Sequence, residues 1–317
     1  MRGPDREVAT AVAGTLALIA LGALLLVLGI RTGHLGAEAA PVATETSQPQ
    51  PTSVDPPANP PPTGPDPGAH SILRVVTPDP DLAAAFAEWS ADLGGQYALA
   101  WVDPDGIHVL GTPADDTAWS TIKVPMSIAA LTELGPEIAP QVVAAITRSD
   151  NDAALAIWSG LGAAEDAARA VDEVLRNYDA VLTRTESQSV RPPFSPFGQT
   201  LWSLTDQARF AAGLSCAAPE SAGGEVRALM AQVSPDQQWG IGRLEEAHHK
   251  GGWGPQPDGG YVARQFGDGV VDGNRFALAV SARAADGTFD RATGDLDQLI
   301  RWWSVTVAAD SAAMTCP

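Results

Sequence analysis

Lysine is nearly absent from this chain. Of its 19 basic residues only two, Lys123 and Lys250, are lysines, and the rest are arginines. Arginine keeps its proton at ordinary pH, whereas a buried lysine can release it. The scarcity excludes proton transfer by most of the positive side chains, and it marks the two lysines as residues kept for a chemical reason.

Positive charge of either kind is also scarce. The 317 residues carry 19 Lys plus Arg against 38 Asp plus Glu, which is a formal net charge of −19. Nucleic-acid binding needs a basic surface, so this balance argues against a nucleic-acid partner. A compositional bias towards Ala, Gly, Asp and Arg is the simpler explanation of the acidity, which favours solubility and says little about the fold.

Cysteine is limited to Cys216 and Cys316, which are far apart and match no metal-ligand spacing. In a domain outside the cytoplasm, a disulfide between them would tie the C-terminal tail to the domain body. The alternative is two unrelated thiols. The pair His248 and His249 lacks a third ligand, so we expect strand residues there and predict neither a metal nor a cofactor.

Long hydrophobic runs are also missing, apart from one near the N-terminus. After the polar residues 1–7, residues 8–30 are uncharged and rich in Leu and Ala, and they are long enough to span a bilayer as a helix. The apolar core of a secretory signal is shorter, about 7–15 residues. We therefore expect a transmembrane anchor with residues 1–7 in the cytoplasm. Cleavage stays open, because Ala37-Glu38-Ala39 resembles a small-x-small site.

Residues 31–70 are rich in Pro, Thr and Ser, a composition that cannot build a core. We expect a disordered linker that holds a folded domain, residues 71–317, away from the membrane. A tail without consequence is the alternative.

Apolar periodicity indicates how the folded part is organised. A helical repeat at 81–93 precedes two strand-like segments, 96–102 and 106–111, which predict a hairpin. Several helices are expected between 120 and 233, interrupted by an irregular segment at 183–200. Three further strands and a closing helix follow at 247–253, 261–266, 275–281 and 293–307. Strands at both ends predict an α/β (α+β) fold, in which one antiparallel sheet of about five strands carries flanking helices and a helical insert.

Both lysines fall in short motifs. These are, in chain order, Ser120-x-x-Lys123, Ser149-Asp150-Asn151 and Lys250-Gly251-Gly252. In a helix, residues i and i+3 share a face, so Lys123 can take the proton of Ser120 and make it a nucleophile. Each motif is weak by itself; Ser, Asp and Asn, for example, are all favoured helix caps. The three together, in this order, are specific.

The set resembles the signature of the penicillin-recognising serine hydrolases, which include class A β-lactamases and penicillin-binding proteins. The resemblance covers residues 75–305. It implies that Ser120 accepts the acyl group, that Lys123 takes its proton, and that Ser149 relays a proton to the leaving nitrogen.

The resemblance also implies substrate-binding roles. Asn151 would bind the substrate amide and Lys123, and Lys250 would attract a substrate carboxylate. Gly252 would keep the strand clear for substrate, and the backbone N–H groups of Ser120 and Trp253 would form the oxyanion hole. Asp150, in the same loop, would have a structural role.

Three departures from the family pattern bear on the activity. Only 29 positions separate Ser120 from Ser149, so the helical insert is shortened. Gly251 stands where the family has a hydroxyl residue. Glu186 lies at about the right distance from Ser149 for the family's deacylating glutamate, but the Leu-Asn pair that should follow it is missing. An exposed loop carboxylate is the simpler interpretation of Glu186.

The sequence therefore predicts an exported, membrane-anchored serine hydrolase of the β-lactamase or D-Ala-D-Ala peptidase type. Its substrates would be β-lactams or peptidoglycan-like amides. The alternative is a degenerate module with a binding or structural role in the cell envelope. The short insert and Gly251 favour that alternative, whereas Ser120 and the two lysines count against it.

Overall fold

One six-stranded sheet brings together the two ends of the folded part of the chain. The structure, a computed structural model, describes residues 73–316. The strands lie in the order β1-β3-β2-β6-β5-β4. They are β1 Val75–Val76, β2 Gln96–Asp103, β3 Gly106–Gly111, β4 Glu245–Pro255, β5 Tyr261–Val271 and β6 Asn274–Arg283. The predicted anchor at 8–30, the linker at 31–70 and residues 1–7 lie outside the described residues. Within 73–316, no helix combines the length and apolar character needed to cross a membrane.

The predicted fold class is confirmed, with one more strand than expected. The extra strand is β1, which pairs in parallel with β3 through two residues, Val75 opposite Ile107 and Val76 opposite His108. A two-residue strand is too short to produce an alternating pattern. All the other strand pairs are antiparallel.

The centre of the sheet joins an N-terminal hairpin to a C-terminal hairpin. Strand β2 runs antiparallel to β6, with Leu99 opposite Val280 and Trp101 opposite Leu278. The β5–β6 turn is Asp272-Gly273, and both residues have positive φ (49° and 78°). That conformation suits a tight hairpin turn, and Gly adopts it without a side-chain clash.

Helices cover both faces of the sheet. They are α1 Pro80–Leu93, α2 Lys123–Leu134, α3 Ala139–Thr147, α4 Asn151–Gly160, α5 Ala164–Asn177, α6 Leu204–Ser215, α7 Ala222–Met230 and α8 Phe289–Thr306. Short 3₁₀ turns connect some of them, at Trp119–Ile122, Gly135–Ile138, Phe197–Gln199, Pro235–Gln237, Gly240–Arg243 and Ala308–Asp310. The first helix starts at Pro80, because Asp79 accepts hydrogen bonds from the N–H groups of Asp81 and Leu82, and Pro80 occupies the first turn.

Strand β2 separates two hydrophobic cores. Ala98, Ala100 and Val102 belong to the core under helices α2 to α7, whereas Leu99 and Trp101 belong to the core under α1 and α8. Successive side chains of a strand point to opposite faces, so a strand buried on both sides reads as a continuous apolar run. Four tryptophans contribute to the packing, since Trp202, Trp239 and Trp303 are buried and Trp302 is partly buried.

A disulfide ties the C-terminal tail to the end of α6. Cys216 and Cys316 are joined, with their Cα atoms 5.5 Å apart across a sequence separation of 100. Beside the bond, Ser215 Oγ lies 3.5 Å from Met314 Sδ, and the N–H of Met314 donates to the carbonyl of Arg275. The tail is therefore held against both the insert and the sheet.

Candidate active site

The three motifs come together where the edge strand β4 meets the helical insert. Ser120 lies in the 3₁₀ turn Trp119–Ile122, and Lys123 is the first residue of α2. Ser149 precedes α4, and Lys250 is on β4. A cleft here has a volume of about 390 Å³, and Ser120, Lys123 and Ser149 are among its lining residues. The α-helix begins three residues later than the sequence predicted, but i and i+3 also align in a 3₁₀ turn.

The hydroxyl of Ser149 lies between the two lysines. Lys250 Nζ donates to Ser149 Oγ at 2.9 Å, and Lys123 Nζ lies 3.5 Å from the same oxygen. Lys123 also donates to the Ser149 carbonyl at 2.6 Å and to Asn151 Oδ1 at 2.8 Å. A proton can therefore pass between either ammonium group and the Ser149 hydroxyl over hydrogen-bond distances.

The backbone of this loop is held in an uncommon conformation. Ser149 has φ +56°, in the left-handed region that a residue other than glycine seldom adopts. Asp150 stabilises the loop by capping α4 through the N–H of Ala153, and its own N–H donates to the carbonyl of Ala144. Lys123 also reaches the Asp150 carbonyl, at 3.3 Å. The hydrogen bonds of Asp150 and Lys123 therefore hold Ser149 in this strained conformation.

Both lysines are buried, and burial changes their proton affinity. Lys123 is 1% exposed, and its desolvation lowers its pKa to about 8, while the charge of Asp150 acts in the opposite direction. Lys250 is fully buried, and burial together with the charge of Lys123 lowers its pKa well below the usual range. In the described residues no carboxylate forms an ion pair with either lysine. A neutral amine is therefore accessible at moderately alkaline pH.

Ser120 itself makes no hydrogen bond to Lys123 anywhere in the described chain. The lysine is directed at the loop of Ser149 and Asn151, although Ser120 and Lys123 line the same cleft. For Lys123 to take the proton of Ser120, as the sequence suggests, the two groups have to come within hydrogen-bond distance. Apo hydrogen bonds at active sites are often long and shorten only when substrate binds.

A buried polar network positions the turn of Ser120. Thr121 Oγ1 donates to the carbonyl of Ala118 at 2.5 Å and accepts from Gln207 Nε2 at 2.9 Å. Gln207 Oε1 in turn accepts from Arg264, which also donates to the carbonyl of Thr117. Arg264 is fully buried, which lowers its pKa to about 10. We had not predicted Gln207 or Arg264 from the sequence; the available signal was a polar residue inside an apolar helix or strand segment.

Gly252 is required by the approach of strand β4 to this turn. A Cβ atom at Gly252 would lie 2.8 Å from the carbonyl oxygen of Ala118 and 2.9 Å from the Ser120 nitrogen. The sequence predicted that Gly252 keeps the strand clear for substrate. The atoms nearest to its Cβ position belong to the backbone that carries Ser120. Trp253, the next residue, lines the cleft.

The missing hydroxyl at Gly251 has a steric explanation. A Cβ atom there would lie 2.9 Å from the ring of Trp239, which is 5% exposed. Threonine or serine at this position would therefore meet a buried indole ring. Trp239 packs in turn near Trp253 and Phe289, with ring centroids 6.4 and 6.2 Å away.

Glu186 does not line the cleft. Its carboxylate accepts from the N–H of Gln188 at 2.6 Å, and its own N–H donates to Thr200 Oγ1. Part of the cleft wall is formed instead by residues from 193–199, including Phe194, Ser195 and Gln199. Arg191 fastens this wall by donating to the carbonyl of Pro255 at 2.6 Å.

The paired histidines are strand residues with protein partners. His249 is buried with Nε2 3.2 Å from the carbonyl of Gln237, and burial lowers its pKa to about 4. His248 lies beside Asp268 and Arg227. Within residues 73–316, no group of three or more His, Cys, Asp or Glu side chains could hold a metal ion.

Comparison with solved structures shows that the fold is that of class A β-lactamases. A class A β-lactamase from Bacteroides cellulosilyticus DSM 14838 superposes with a TM-score of 0.59 at 12% identity, covering 74% of this chain and 100% of that one. A variant of the reconstructed class A β-lactamase of the last common ancestor of Gram-negative bacteria gives 0.55 at 16% identity, covering 74% and 100%. A β-lactamase from Streptosporangium roseum gives 0.53 at 14% identity, covering 69% and 97%.

No protein-family model and no curated protein matches the sequence. At identities of 12–16% these structural matches establish a β-lactamase-like fold. Function has to be argued from the residues of the cleft, because one fold can carry several functions.

Proposed function

We propose that this chain is an extracytoplasmic, membrane-anchored serine hydrolase of the β-lactamase or D,D-peptidase type that forms an acyl-enzyme on Ser120. The observation that carries the proposal is the Ser149 hydroxyl held between Lys250 at 2.9 Å and Lys123 at 3.5 Å, at the cleft that Ser120 also lines. Two buried amines at one hydroxyl offer a route for protons both away from a nucleophile and towards a leaving group.

The proposed acylation uses these groups in turn. Neutral Lys123 accepts the proton of Ser120, whose Oγ bonds to the carbonyl carbon of the substrate amide. The backbone N–H groups of Ser120 and Trp253 stabilise the developing oxyanion. As the C–N bond breaks, Ser149 gives its proton to the leaving nitrogen and is reprotonated by one of the lysines. Asn151, bound to Lys123 through Oδ1, holds the substrate amide.

The charge of the cleft favours an anionic substrate. Among the described lining residues Lys123 is the one basic side chain, and none is an Asp or Glu, although the whole chain carries a net charge of −19. Lys250 adds a second basic group beside Ser149. A β-lactam or a peptidoglycan stem peptide, each of which combines an amide with a carboxylate, matches this arrangement.

The acyl-enzyme should be long-lived. Hydrolysis of an acyl ester needs a base that activates water. The described cleft lining holds no Asp, Glu or His, and Glu186 is engaged with the N–H of Gln188. The amine of Lys123 is bound to the Ser149 carbonyl and to Asn151 Oδ1. Slow release of the acyl group is typical of a penicillin-binding protein and not of a β-lactamase that confers resistance.

The proposed location is the outer face of the cell membrane. It rests on the uncharged run at 8–30, the Pro-rich linker at 31–70 and the disulfide between Cys216 and Cys316, a bond that persists in oxidising compartments. Membrane fractionation of cells that make the full chain, with protease added to intact protoplasts, tests it. A protected, soluble protein would exclude this location.

A degenerate binding or structural module is the second candidate. It is favoured by the lack of a hydrogen bond from Ser120 to Lys123 in the described chain and by the absent hydroxyl at Gly251. Such a module would bind envelope peptides without covalent chemistry.

Labelling with a fluorescent penicillin separates the two candidates. The hydrolase should retain the label on a denaturing gel, and Ser120→Ala should lose it. If the folded wild type takes up no label, the module is the better description. If Ser120→Ala labels as well as the wild type, Ser120 is not the nucleophile.

A further inference from the structure

Gln199 stands immediately beside the turn that carries Ser120. It ends the 3₁₀ turn Phe197–Gln199, and both of its neighbours are held against the Ser120 turn. A Cβ atom on Gly198 would lie 3.9 Å from the carbonyl oxygen of Trp119. On the other side, the carbonyl of Thr200 accepts from the N–H of Ala118 at 2.8 Å. The backbone of residues 198–200 therefore runs along the residues that precede Ser120.

The side chain of Gln199 is buried, and its amide lacks a partner. Gln199 is 8% exposed and lines the cleft, yet its Nε2 makes no hydrogen bond within the described part of the chain. Buried polar atoms in folded proteins are nearly always hydrogen-bonded, so an unpaired carboxamide at a cleft wall points to a ligand group that completes it. The other amide of the cleft, Asn151, already accepts from Lys123.

The carboxamide of Gln199 cannot act as a base. Glutamine has the size and shape of glutamate and can hydrogen-bond a carbonyl oxygen or a water molecule, but it cannot accept a proton near neutral pH. The described lining of the cleft offers no Asp, Glu or His that could do so.

We propose that Gln199 contacts the acyl group on Ser120 and sets the lifetime of the acyl-enzyme by occupying the place from which a base would activate water. Release of the acyl group requires a water oxygen to bond to the acyl carbon while the bond from that carbon to Ser120 Oγ breaks. One proton leaves the water and one returns to Ser120 Oγ. With a carboxamide at position 199, no carboxylate or imidazole of the described cleft lining takes the first of these protons, and the amine of Lys123 is held by the Ser149 carbonyl and Asn151 Oδ1. The inference rests on the proposed acylation of Ser120.

The test is a time course of the penicilloyl adduct by intact-protein mass spectrometry. Gln199→Glu is compared with the wild type and with Gln188→Glu, which makes the same change at an exposed residue of the same segment. Because a positioned base contributes about 10²-fold or more to such a step, Gln199→Glu should shorten the adduct lifetime by at least about tenfold. Gln188→Glu should not. The adduct lifetime of Gln199→Glu should return to that of the wild type as the pH falls, because the new carboxylate becomes protonated.

Failure of the role of Gln199 and failure of Ser120 acylation give different results. If the wild type forms no adduct, acylation itself is refuted. If the wild type forms an adduct and both Glu variants release it at the wild-type rate, the role of Gln199 is refuted.

A second measurement covers the case in which Gln199→Glu does not fold. Gln199→Ala removes the carboxamide, so added formate can occupy its place and act as the base. Formate should shorten the adduct lifetime in Gln199→Ala and leave the wild type unchanged. Equal lifetimes of the Gln199→Ala adduct with and without formate would overturn the inference.

Discussion

Lys250 Nζ donates to Ser149 Oγ at 2.9 Å, across 101 positions of sequence. This bond joins the edge strand of the sheet to the loop before α4, so it connects the two halves of the cleft. Lys123 reaches the same loop from the Ser120 side. Both lysines of the chain therefore contact one hydroxyl.

Acylation should depend on pH through Lys123. Burial lowers the pKa of Lys123 to about 8, so the fraction of neutral amine rises with pH up to that value. We expect the rate constant for penicillin acylation to rise about tenfold per pH unit below this pKa and to level off above it. The Lys123→Arg variant keeps the charge but cannot lose a proton, so it should not be acylated by penicillin at any pH in the range measured. A rate that is flat between about pH 6 and pH 9 would contradict the role of Lys123 as the base.

Gly252→Ala should damage both the fold and the site. The added Cβ would lie 2.8–3.0 Å from the backbone of Ala118, Ser120 and Thr121, which has little freedom to move. Overpacking of this kind costs about 1–3 kcal/mol, and acylation should fall because the Ser120 turn is displaced.

Gly294→Ala is the matched control, since nothing lies within 4 Å of its Cβ position in helix α8. It should be neutral or stabilise by about 0.5–1 kcal/mol. Urea unfolding and fluorescent-penicillin labelling measure both effects. Equal stability of the two variants would show that the approach of β4 to the turn is not tight.

Gly251→Thr should not restore a substrate-binding hydroxyl. The new side chain would lie against the ring of Trp239, 2.9 Å from its Cβ, and we expect a loss of about 1–3 kcal/mol. The double variant with Trp239→Leu should be more stable than the sum of the single effects, with a coupling energy above about 0.5 kcal/mol. Strict additivity in unfolding measurements would show that Trp239 is not the obstacle.

The disulfide should contribute to stability without affecting acylation. Cys216 and Cys316 close a long loop, and neither lines the cleft. Cys216→Ser/Cys316→Ser should lower the free energy of unfolding by about 2–5 kcal/mol and leave penicillin labelling unchanged. Reducing agent should lower the unfolding midpoint of the wild type but not that of the double variant. Identical midpoints under both conditions would mean that the bond is not formed.

Much of the architecture could be predicted from local patterns. The hairpin of β2 and β3, the later strands and the closing helix lie within a few residues of their expected bounds, because side-chain periodicity reports which faces are buried. Of the motif residues, Ser120, Lys123 and Ser149 line one cleft, and Lys250 donates to Ser149 from strand β4. Strand β1 was missed, since two residues leave no period to detect.

Other features of the cleft depend on contacts that no local pattern contains. Glu186 sits at a suitable distance along the chain, yet its carboxylate turns back to the N–H of Gln188. Gln199 stands in the cleft wall instead, among residues that the sequence described only as irregular.

The sequence by itself determined which chemistry is available, because the two lysines and the three motifs are visible without any coordinates. Only the tertiary structure decided how that chemistry is arranged. It directed the amine of Lys123 at the loop of Ser149 and not at Ser120. It also placed Gly251 against the ring of Trp239, and Gln199 beside the turn that carries Ser120. The physical reason is that these contacts join residues far apart in the chain, whose distances depend on how the strands, turns and helices pack and not on their own periodicity.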